Sequence, residues 1–388
     1  MSSPVTEALE ATEDPRAPFD LEAASVGDLL DTPPPPREWL VQDRIPFNVV
    51  GLLAAAGGTG KSFATLQLAV AVATGGAWLG HPVGRDGCVL IISAEDDRAE
   101  IHRRLHSVLD RLRADGDLTP EQENRIRDRL YVLDRVGENN LLTAEVDREV
   151  VRTAMADKIA ATAQQMPGPA LIVLDPLARF DGGDPNDNAE ATRLIEAAEA
   201  IRRGSGATVL LPHHVAKASA GNAEAGQEAV RGASGLVDGA RWVGLMRGMT
   251  PKEANDYGLT EEESGRFLRL TVPKCNGAPP TAGQWLQRLE GGVLAPTELK
   301  ATKKQAREAK ADEQYQKVLK ETKRLIRKHG PMSARHIRTQ YGGTAGILGV
   351  GDKAVRAALN RAVEEGEFFE HPLDGNRGNA LHFAPGDE

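Results

Sequence analysis

Lys61 and Ser62 end a glycine-rich stretch, AAAGGTGKS at residues 54–62. It meets the phosphate-binding pattern G-x-x-x-x-G-K-[ST], except that Ala55 replaces the first glycine. In this pattern the glycines let backbone N–H groups surround a phosphate, the lysine reaches the β- and γ-phosphates, and the hydroxyl ligates Mg²⁺. The candidate ATP-binding residues are Ala55, Ala56, Gly57, Gly58, Thr59, Gly60, Lys61, Ser62 and Phe63. The alternative is a glycine-rich turn without a ligand. The strand pattern before the stretch and the helix pattern after it, over 61–74, disfavour that alternative.

A second metal contact is expected at Asp175, which ends the apolar run ALIVLDP. Ligands of parallel sheets bind at the carboxyl ends of strands, so Asp175 and Ser62 are the candidate Mg²⁺ ligands. The alternative for Asp175 is a cap on the turn that follows.

The run VLIISAEDD places Glu95 just after another strand. A carboxylate at this position could orient and deprotonate an attacking water, which makes Glu95 the candidate general base. Its neighbours Asp96 and Asp97 could instead cap a helix that starts near Arg98.

Two histidines, His213 and His214, end the run TVLLPHH. No Cys or carboxylate lies at metal-ligand spacing, so the preferred interpretation is an imidazole that senses the γ-phosphate through a hydrogen bond. Solvent-exposed loop histidines are the alternative.

The elements that must position these residues are short apolar runs alternating with helical patterns. They occur as NVVGLL, GCVLIIS, LYVLDRV, ALIVLDP and ATVLLPHH. Buried strands alternating with helices predict an α/β fold with a mostly parallel sheet. The later runs GARWVGLMRG, RFLRLTVPK and QWLQRLEGGVL lie closer together and predict an antiparallel extension.

Composition and charge limit the functional classes. The chain has 388 residues and two cysteines without CxxC spacing, which disfavours a zinc site or a disulfide scaffold. No signal-peptide pattern or membrane-length apolar run is visible, so we expect a soluble, cytoplasmic protein with no membrane partner. Residues 1–46 carry 10 Asp+Glu against 3 Lys+Arg, whereas residues 300–363 carry 16 Lys+Arg against 5 Asp+Glu. An acidic beginning and a basic C-terminal third therefore need an explanation.

These changes in texture predict three regions. Residues 1–36 are acidic, poor in large apolar side chains and end in TPPPP, which predicts a disordered tail. Residues 37–299 contain the alternating pattern. Residues 300–388 contain helical patterns over 306–328, 333–341 and 352–366, followed by two short strands, the order of a winged helix-turn-helix. Lys353 and Arg356 share one helical face there, and Arg377 lies at the hairpin tip, which favours binding to duplex DNA over a protein–protein role.

The ordered set of motifs over roughly residues 37–296 resembles RecA-like hexameric ATPases of the AAA family. It is closest to the RepA-type replicative helicases of plasmids and phages. Besides the residues above, the resemblance is carried by PREWLVQDRIPFNVVGLLAAAGGTGKS, IISAEDD, LDPLARFDGGDPNDN, HHVAK and RGASG.

The resemblance implies residue roles. Glu95 matches the catalytic glutamate, Asp175 the Walker B aspartate, and His214 the position of a glutamine in related DnaB-type helicases. Arg231 in RGASG matches an arginine finger that reaches a neighbour's γ-phosphate, which implies a homo-hexamer. Lys274 in TVPKCNG looks like a family element near the nucleotide. The segment between His214 and Arg231 matches a channel loop that touches single-stranded DNA, although an unconstrained linker is an equal alternative.

Two functions of different classes remain open. One is an ATP-driven DNA helicase. The other is an ATP-controlled DNA-binding regulator without unwinding activity, which the basic C-terminal module favours. A RecA-type recombinase is less favoured, because no filament-forming segment is recognisable.

Overall fold

The computed structural model describes residues 18–147, 149–184, 187–215, 234–277, 281–300, 303–372 and 379–383. The chain divides into two compact units. The first is Met1–Ala254 with Leu259–Leu299, and the second is Asn255–Gly258 with Lys300–Glu388. The predicted three-region division of the chain is a separate statement and stays a prediction.

The strands of the first unit are short and follow the apolar runs of the sequence. They are β1 Trp39–Val41, β2 Ile45–Pro46, β3 Val50–Ala55, β4 Ala77–Trp78, β5 His81–Pro82, β6 Cys88–Ser93, β7 Leu130–Asp134, β8 Thr143–Val146, β9 Glu149–Arg152, β10 Pro169–Asp175, β11 Thr208–His214, β12 Trp242–Gly248, β13 Phe267–Cys275, β14 Thr281–Arg288 and β15 Leu294–Pro296.

Helices connect most of the parallel strands. They are α1 Gly27–Asp31, α2 Lys61–Thr74, α3 Arg98–Asp115, α4 Pro120–Arg129, α5 Met155–Ala163, α6 Asn188–Ser205, α7 Ser234–Gly239, α8 Pro251–Tyr257 and α9 Glu261–Ser264. Short 3₁₀ turns lie at Leu177–Arg179 and Glu290–Gly292.

Among the described residues, nine strands form one sheet in the order β15-β14-β13-β12-β3-β11-β10-β6-β7. The neighbours from β12 to β7 are parallel, and β12 to β15 are antiparallel. This is a RecA-like P-loop core, as predicted. The antiparallel extension is also present, but the run GARWVGLMRG differs from expectation, because β12 is itself parallel to β3.

Each central strand is buried on both faces because period-two alternation sends its side chains to two separate cores. In β10, Ile172 and Leu174 belong to a cluster with α5, α6 and α7. Leu171 and Val173 belong to the opposite cluster, with α2, α3 and α4. The sheet is therefore the middle of three layers, which explains why its strands read as continuous apolar runs.

Parallel pairing brings the carboxyl ends of several strands to one edge of the sheet. Asp175 pairs with Ser93 in β6, and His214 pairs with Ala55 in β3. The residues that follow these strand ends must therefore lie beside the start of α2.

The second unit contains α10 Lys303–His329, α11 Ala334–Tyr341 and α12 Asp352–Glu364, followed by the antiparallel strands β16 Phe368–Pro372 and β17 Asn379–Phe383. These bounds lie within three residues of those expected from the sequence. Val318, Ile337, Leu359 and Phe368 belong to its apolar core. The winged-helix assignment remains a prediction.

Residues 18–36 are exposed throughout, and α1 buries none of its residues. The first 17 residues of the predicted disordered tail lie outside the described part of the chain. Within the described part, no helix has both the length and the apolar character that crossing a membrane requires.

Candidate functional site

A cavity of about 350 Å³ lies where α2 begins. It is lined by Ala56, Gly58, Thr59, Gly60, Lys61, Ser62, Phe63, Glu95, Asp96, Arg104, Asp175, His214, Arg288 and Gly292. Most of the predicted site residues therefore converge on one pocket, although they come from four different strand ends.

The loop between β3 and α2 has the backbone geometry of an anion cradle. Gly58 and Gly60 have φ values of +74° and +96°, a region that L-residues with side chains rarely adopt. A Cβ at Gly57 or Gly58 would meet no atom within 4 Å, so the loop surface is open to a ligand. Gly60 is also the N-cap of α2, whose first amides and partial positive charge face the pocket.

Ala55 replaces the usual first glycine without disturbing this loop. It is the last residue of β3, and its side chain is fully buried in the core on the α2 side of the sheet. A methyl group fits there, so the departure from the pattern falls on a packing position. Ala55 does not line the pocket itself.

Lys61 lies almost entirely inside the protein, with 5% of its surface exposed. Burial lowers its pKa, and the negative charges of Asp175 and Glu95 oppose that shift. Its Nζ lies 3.2 Å from Nδ1 and 3.5 Å from Nε2 of His214. The ammonium is therefore held above the cradle between an imidazole and two carboxylates.

Asp175 lies at the end of β10, where protein atoms enclose its carboxyl group. Burial raises its pKa to about 6, Lys61 opposes the shift, and Asp96 and Glu95 add to it. At neutral pH the carboxylate is therefore charged, but its proton affinity is far above that of an exposed aspartate.

The three acidic residues after β6 have separate roles. Asp97 is the N-cap of α3 and accepts a hydrogen bond from the Glu100 amide at 2.7 Å. Asp96 accepts two hydrogen bonds from the guanidinium of Arg104. Glu95 is exposed on the pocket wall. The capping alternative therefore applies to Asp97, and Glu95 remains available to a ligand.

The two histidines of β11 face different environments. His214 lines the pocket, and burial together with Lys61 lowers its pKa. His213 lies one residue earlier and is not among the residues that line the cavity. Burial and Lys61 lower the pKa of His213 to about 4, and its Nδ1 is buried without a hydrogen-bond partner among the described residues. Both imidazoles are therefore neutral at pH 7.

Lys274 was predicted to bind the nucleotide, but the structure does not bring it to the pocket. It pairs with Val243 near the beginning of β12, because β13 runs antiparallel and ends at the opposite edge of the sheet. Its Nζ donates to the carbonyl oxygens of Val237 at 2.9 Å and Asp238 at 2.8 Å. These contacts bind the end of α7.

Arg231 and the predicted channel loop lie within residues 216–233, outside the described part of the chain.

Sequence reasoning missed Arg104, Arg288 and Gly292, which line the pocket. Arg288, at the end of β14, donates from Nη2 to the Gly58 carbonyl at 2.8 Å. No local pattern marks these residues, because their positions depend on how the antiparallel extension folds back over α2.

Among the described residues, no group of three or more His, Cys, Asp or Glu side chains could hold a metal by itself. A divalent cation at this pocket would therefore need ligand oxygens besides those of Ser62 and Asp175, such as those of phosphates and water.

A family model described as an AAA domain matches residues 15–220, more than half of the chain. Among solved structures, one described as the ATPase domain of a larger protein is similar at 16% identity, over 65% of this chain and 85% of that one, with a TM-score of 0.45. A structure of a DnaB-like replicative helicase and its interactions with primase is similar at 16% identity, over 76% of this chain and 71% of that one, also with a TM-score of 0.45.

Proposed function

The chain belongs to the AAA domain family, and from this premise we propose that it is an ATP-hydrolysing motor that acts on DNA, a replicative helicase of the RepA type from a plasmid, phage or mobile element. The observation that carries the proposal is the convergence of Lys61, Glu95, Asp175 and His214 on one pocket at the start of α2.

In this proposal the P-loop binds the triphosphate. The amides of residues 57–62 donate to phosphate oxygens, and the Lys61 ammonium neutralises the β- and γ-phosphates. Binding has to separate Lys61 from His214, because a phosphate that contacts Nζ competes with the imidazole. The freed His214 then donates to the γ-phosphate and acts as its sensor.

Ser62 and Asp175 both line the pocket and supply hard oxygen atoms, so their chemistry fits Mg²⁺. When bound, Mg²⁺ would neutralise phosphate charge. Asp175 fits this role best when it is deprotonated, above its pKa of about 6.

Glu95 is the proposed general base. It is exposed to the cavity near Lys61, and it has no capping role because Asp97 takes that position. A carboxylate placed in this way can orient a water and accept its proton as the water attacks the γ-phosphate.

Turnover is proposed to require a homo-hexamer in which Arg231 of one subunit reaches the nucleotide of the next. An arginine supplied in this way typically adds about 10³–10⁵ in rate. Residues 216–233 would contact single-stranded DNA, mainly through phosphates, and the second unit would bind duplex DNA through α12.

The decisive experiment is strand displacement by the full chain, wild type against Lys61→Ala, with ATP hydrolysis measured in parallel. The helicase proposal expects hydrolysis that single-stranded DNA stimulates, and displacement that Lys61→Ala abolishes. Hydrolysis without displacement on any forked or tailed substrate would contradict it.

A second candidate is an ATP-controlled DNA-binding regulator. The observation that favours it is the exposed basic face of α12, where Lys353 and Arg356 stand free of the core. Tight, ATP-dependent binding to one duplex sequence, with no displacement, would support this alternative.

A further inference from the structure

The pocket has two chemically different ends, on opposite sides of the P-loop strand. In the sheet order, β11, β10 and β6 lie on one side of β3, and they bring His214, Asp175 and Glu95. The antiparallel extension lies on the other side, and it brings Arg288 and Gly292. The first end holds the groups that hydrolysis needs, so the γ-phosphate belongs there. The rest of the nucleotide then has to extend toward the second end.

The second end is a compact wall around the Phe63 ring. The Arg104 guanidinium carbon lies 5.8 Å from the centre of that ring. The backbone of Gly292 packs against its edge so closely that a Cβ on Gly292 would lie 2.4 Å from a ring carbon. Phe63 is half-buried and lines the cavity, so part of its surface remains available.

Hydrogen bonds tie this wall to the phosphate cradle. Gln67 of α2 donates to the Leu294 carbonyl at 2.8 Å and accepts from the Leu294 amide at 3.0 Å. Arg288 donates to the Gly58 carbonyl, and Gly58 belongs to the cradle itself. The turn between β14 and β15 is therefore attached to α2 and to the loop before it, and its position relative to the cradle is set before any ligand arrives.

We propose that the nucleoside of the bound triphosphate packs against the wall formed by Phe63, Gly292 and Arg288, with Arg104 supporting the ring. An aromatic ring, a bare glycine backbone and guanidinium groups are surfaces on which a planar base stacks. The inference rests on the proposed triphosphate site and adds which residues distinguish a nucleotide from a bare polyphosphate.

The test compares two ligands, Mg·ATP and Mg·tripolyphosphate, by titration calorimetry on the full chain. Tripolyphosphate has the phosphates but no nucleoside. Phe63→Ala, and Phe63→Leu, which keeps an apolar side chain in the core, are expected to weaken ATP binding roughly 10-fold and to leave tripolyphosphate binding unchanged. Gly292→Ala, which displaces the ring, should act in the same direction. Lys61→Ala is the control, because it should weaken both ligands.

Three results would overturn the inference. Phe63→Leu and Phe63→Ala could bind ATP as tightly as wild type, or both ligands could weaken equally, which would assign Phe63 a role in P-loop structure. Wild type could also bind ATP and tripolyphosphate equally well, which would leave the triphosphate site intact but remove the wall. Binding of neither ligand to folded wild type would contradict the proposed function itself, and the inference with it.

Discussion

The Nζ of Lys61, the first residue of α2, lies 3.2 Å from the Nδ1 of His214, the last residue of β11 and 153 positions further along the chain. A charged ammonium beside an imidazole requires the facing nitrogen to be unprotonated, and the lowered pKa of His214 is consistent with that arrangement. In the ligand-free pocket, His214 therefore holds the lysine that the phosphates have to capture.

This contact makes a prediction about His214. His214→Ala should leave ATP affinity within a few-fold of wild type, because Lys61 remains, but it should lower kcat by about 10-fold or more if the side chain senses the γ-phosphate. His214→Gln should restore part of the turnover, since an amide can also donate to a phosphate oxygen. Steady-state hydrolysis and calorimetric affinities check both variants. Equal turnover of His214→Ala and wild type would contradict the sensor role.

Glu95 and Asp97 can be distinguished by their expected defects. Glu95→Gln should keep ATP binding and lower kcat by about 10²–10⁴, because the general base is lost. Asp97→Ala is the matched control. It should cost about 1 kcal/mol of unfolding free energy through the lost cap on α3, while hydrolysis per folded molecule stays near wild type. Single-turnover hydrolysis and urea unfolding separate the two effects. A larger catalytic loss in the Asp97 variant would reverse the assignment.

The raised pKa of Asp175 predicts a pH dependence of stability. Its folded pKa of about 6 exceeds the ordinary aspartate value of 3.8, so the folded state binds the proton more tightly than the unfolded state. The charged carboxylate therefore destabilises the ligand-free fold at pH 7.5, and the penalty disappears as pH falls from about 6 towards 3.8. Asp175→Asn should raise the unfolding free energy at pH 7.5 by on the order of 2 kcal/mol, with a smaller gain at pH 4.5.

The same carboxylate should control function in the opposite direction. Asp175→Asn is expected to lose Mg²⁺-dependent hydrolysis, and wild-type affinity for Mg·ATP should fall as pH drops below about 6. A variant that is both less stable at pH 7.5 and fully active would refute this account. Thermal unfolding across pH, with hydrolysis assays at pH 7.5, provides the check.

Arg231 can be tested although it lies outside the described residues. Arg231→Ala should keep ATP affinity and lower kcat by about 10³–10⁵. Mixing Arg231→Ala with Lys61→Ala subunits should restore part of the activity, because some interfaces then combine an intact Lys61 with an intact Arg231. Mixed assemblies no more active than either variant alone would argue against a finger supplied in trans.

The α12 face predicts a salt-dependent DNA interaction. Lys353→Ala and Arg356→Ala should each weaken duplex binding and reduce the slope of log affinity against log salt by about 1, as expected for one lost phosphate contact. Arg361→Ala is the control on the same helix. Arg361 is committed to Asp312 at 2.8 Å and Glu365 at 2.7 Å, so its loss should leave the salt slope unchanged. Equal slopes in all three variants would remove α12 from the interface.

Local sequence determined those features that depend on neighbouring residues alone. The glycines, Lys61 and Ser62 are contiguous, so the cradle and the helix after it could be recognised directly, and α2 spans Lys61–Thr74 as expected. Continuous apolar runs indicated strands buried on both faces, and the charge after residue 300 indicated a separate basic region. The small pairs β1–β2, β4–β5 and β8–β9 were not predicted, since strands of two to four residues leave little periodicity to detect.

Only the tertiary structure decided which distant residues meet. Strand order is a property of the folded sheet, and it brings Arg288 onto the Gly58 carbonyl while antiparallel pairing carries Lys274 to the opposite edge. It also separated Glu95, Asp96 and Asp97, three adjacent carboxylates of similar chemistry, into a pocket wall, an ion pair and a helix cap. A sequence motif specifies which groups are present. Their distances, burial and pKa values arise from the packing of elements that lie far apart along the chain.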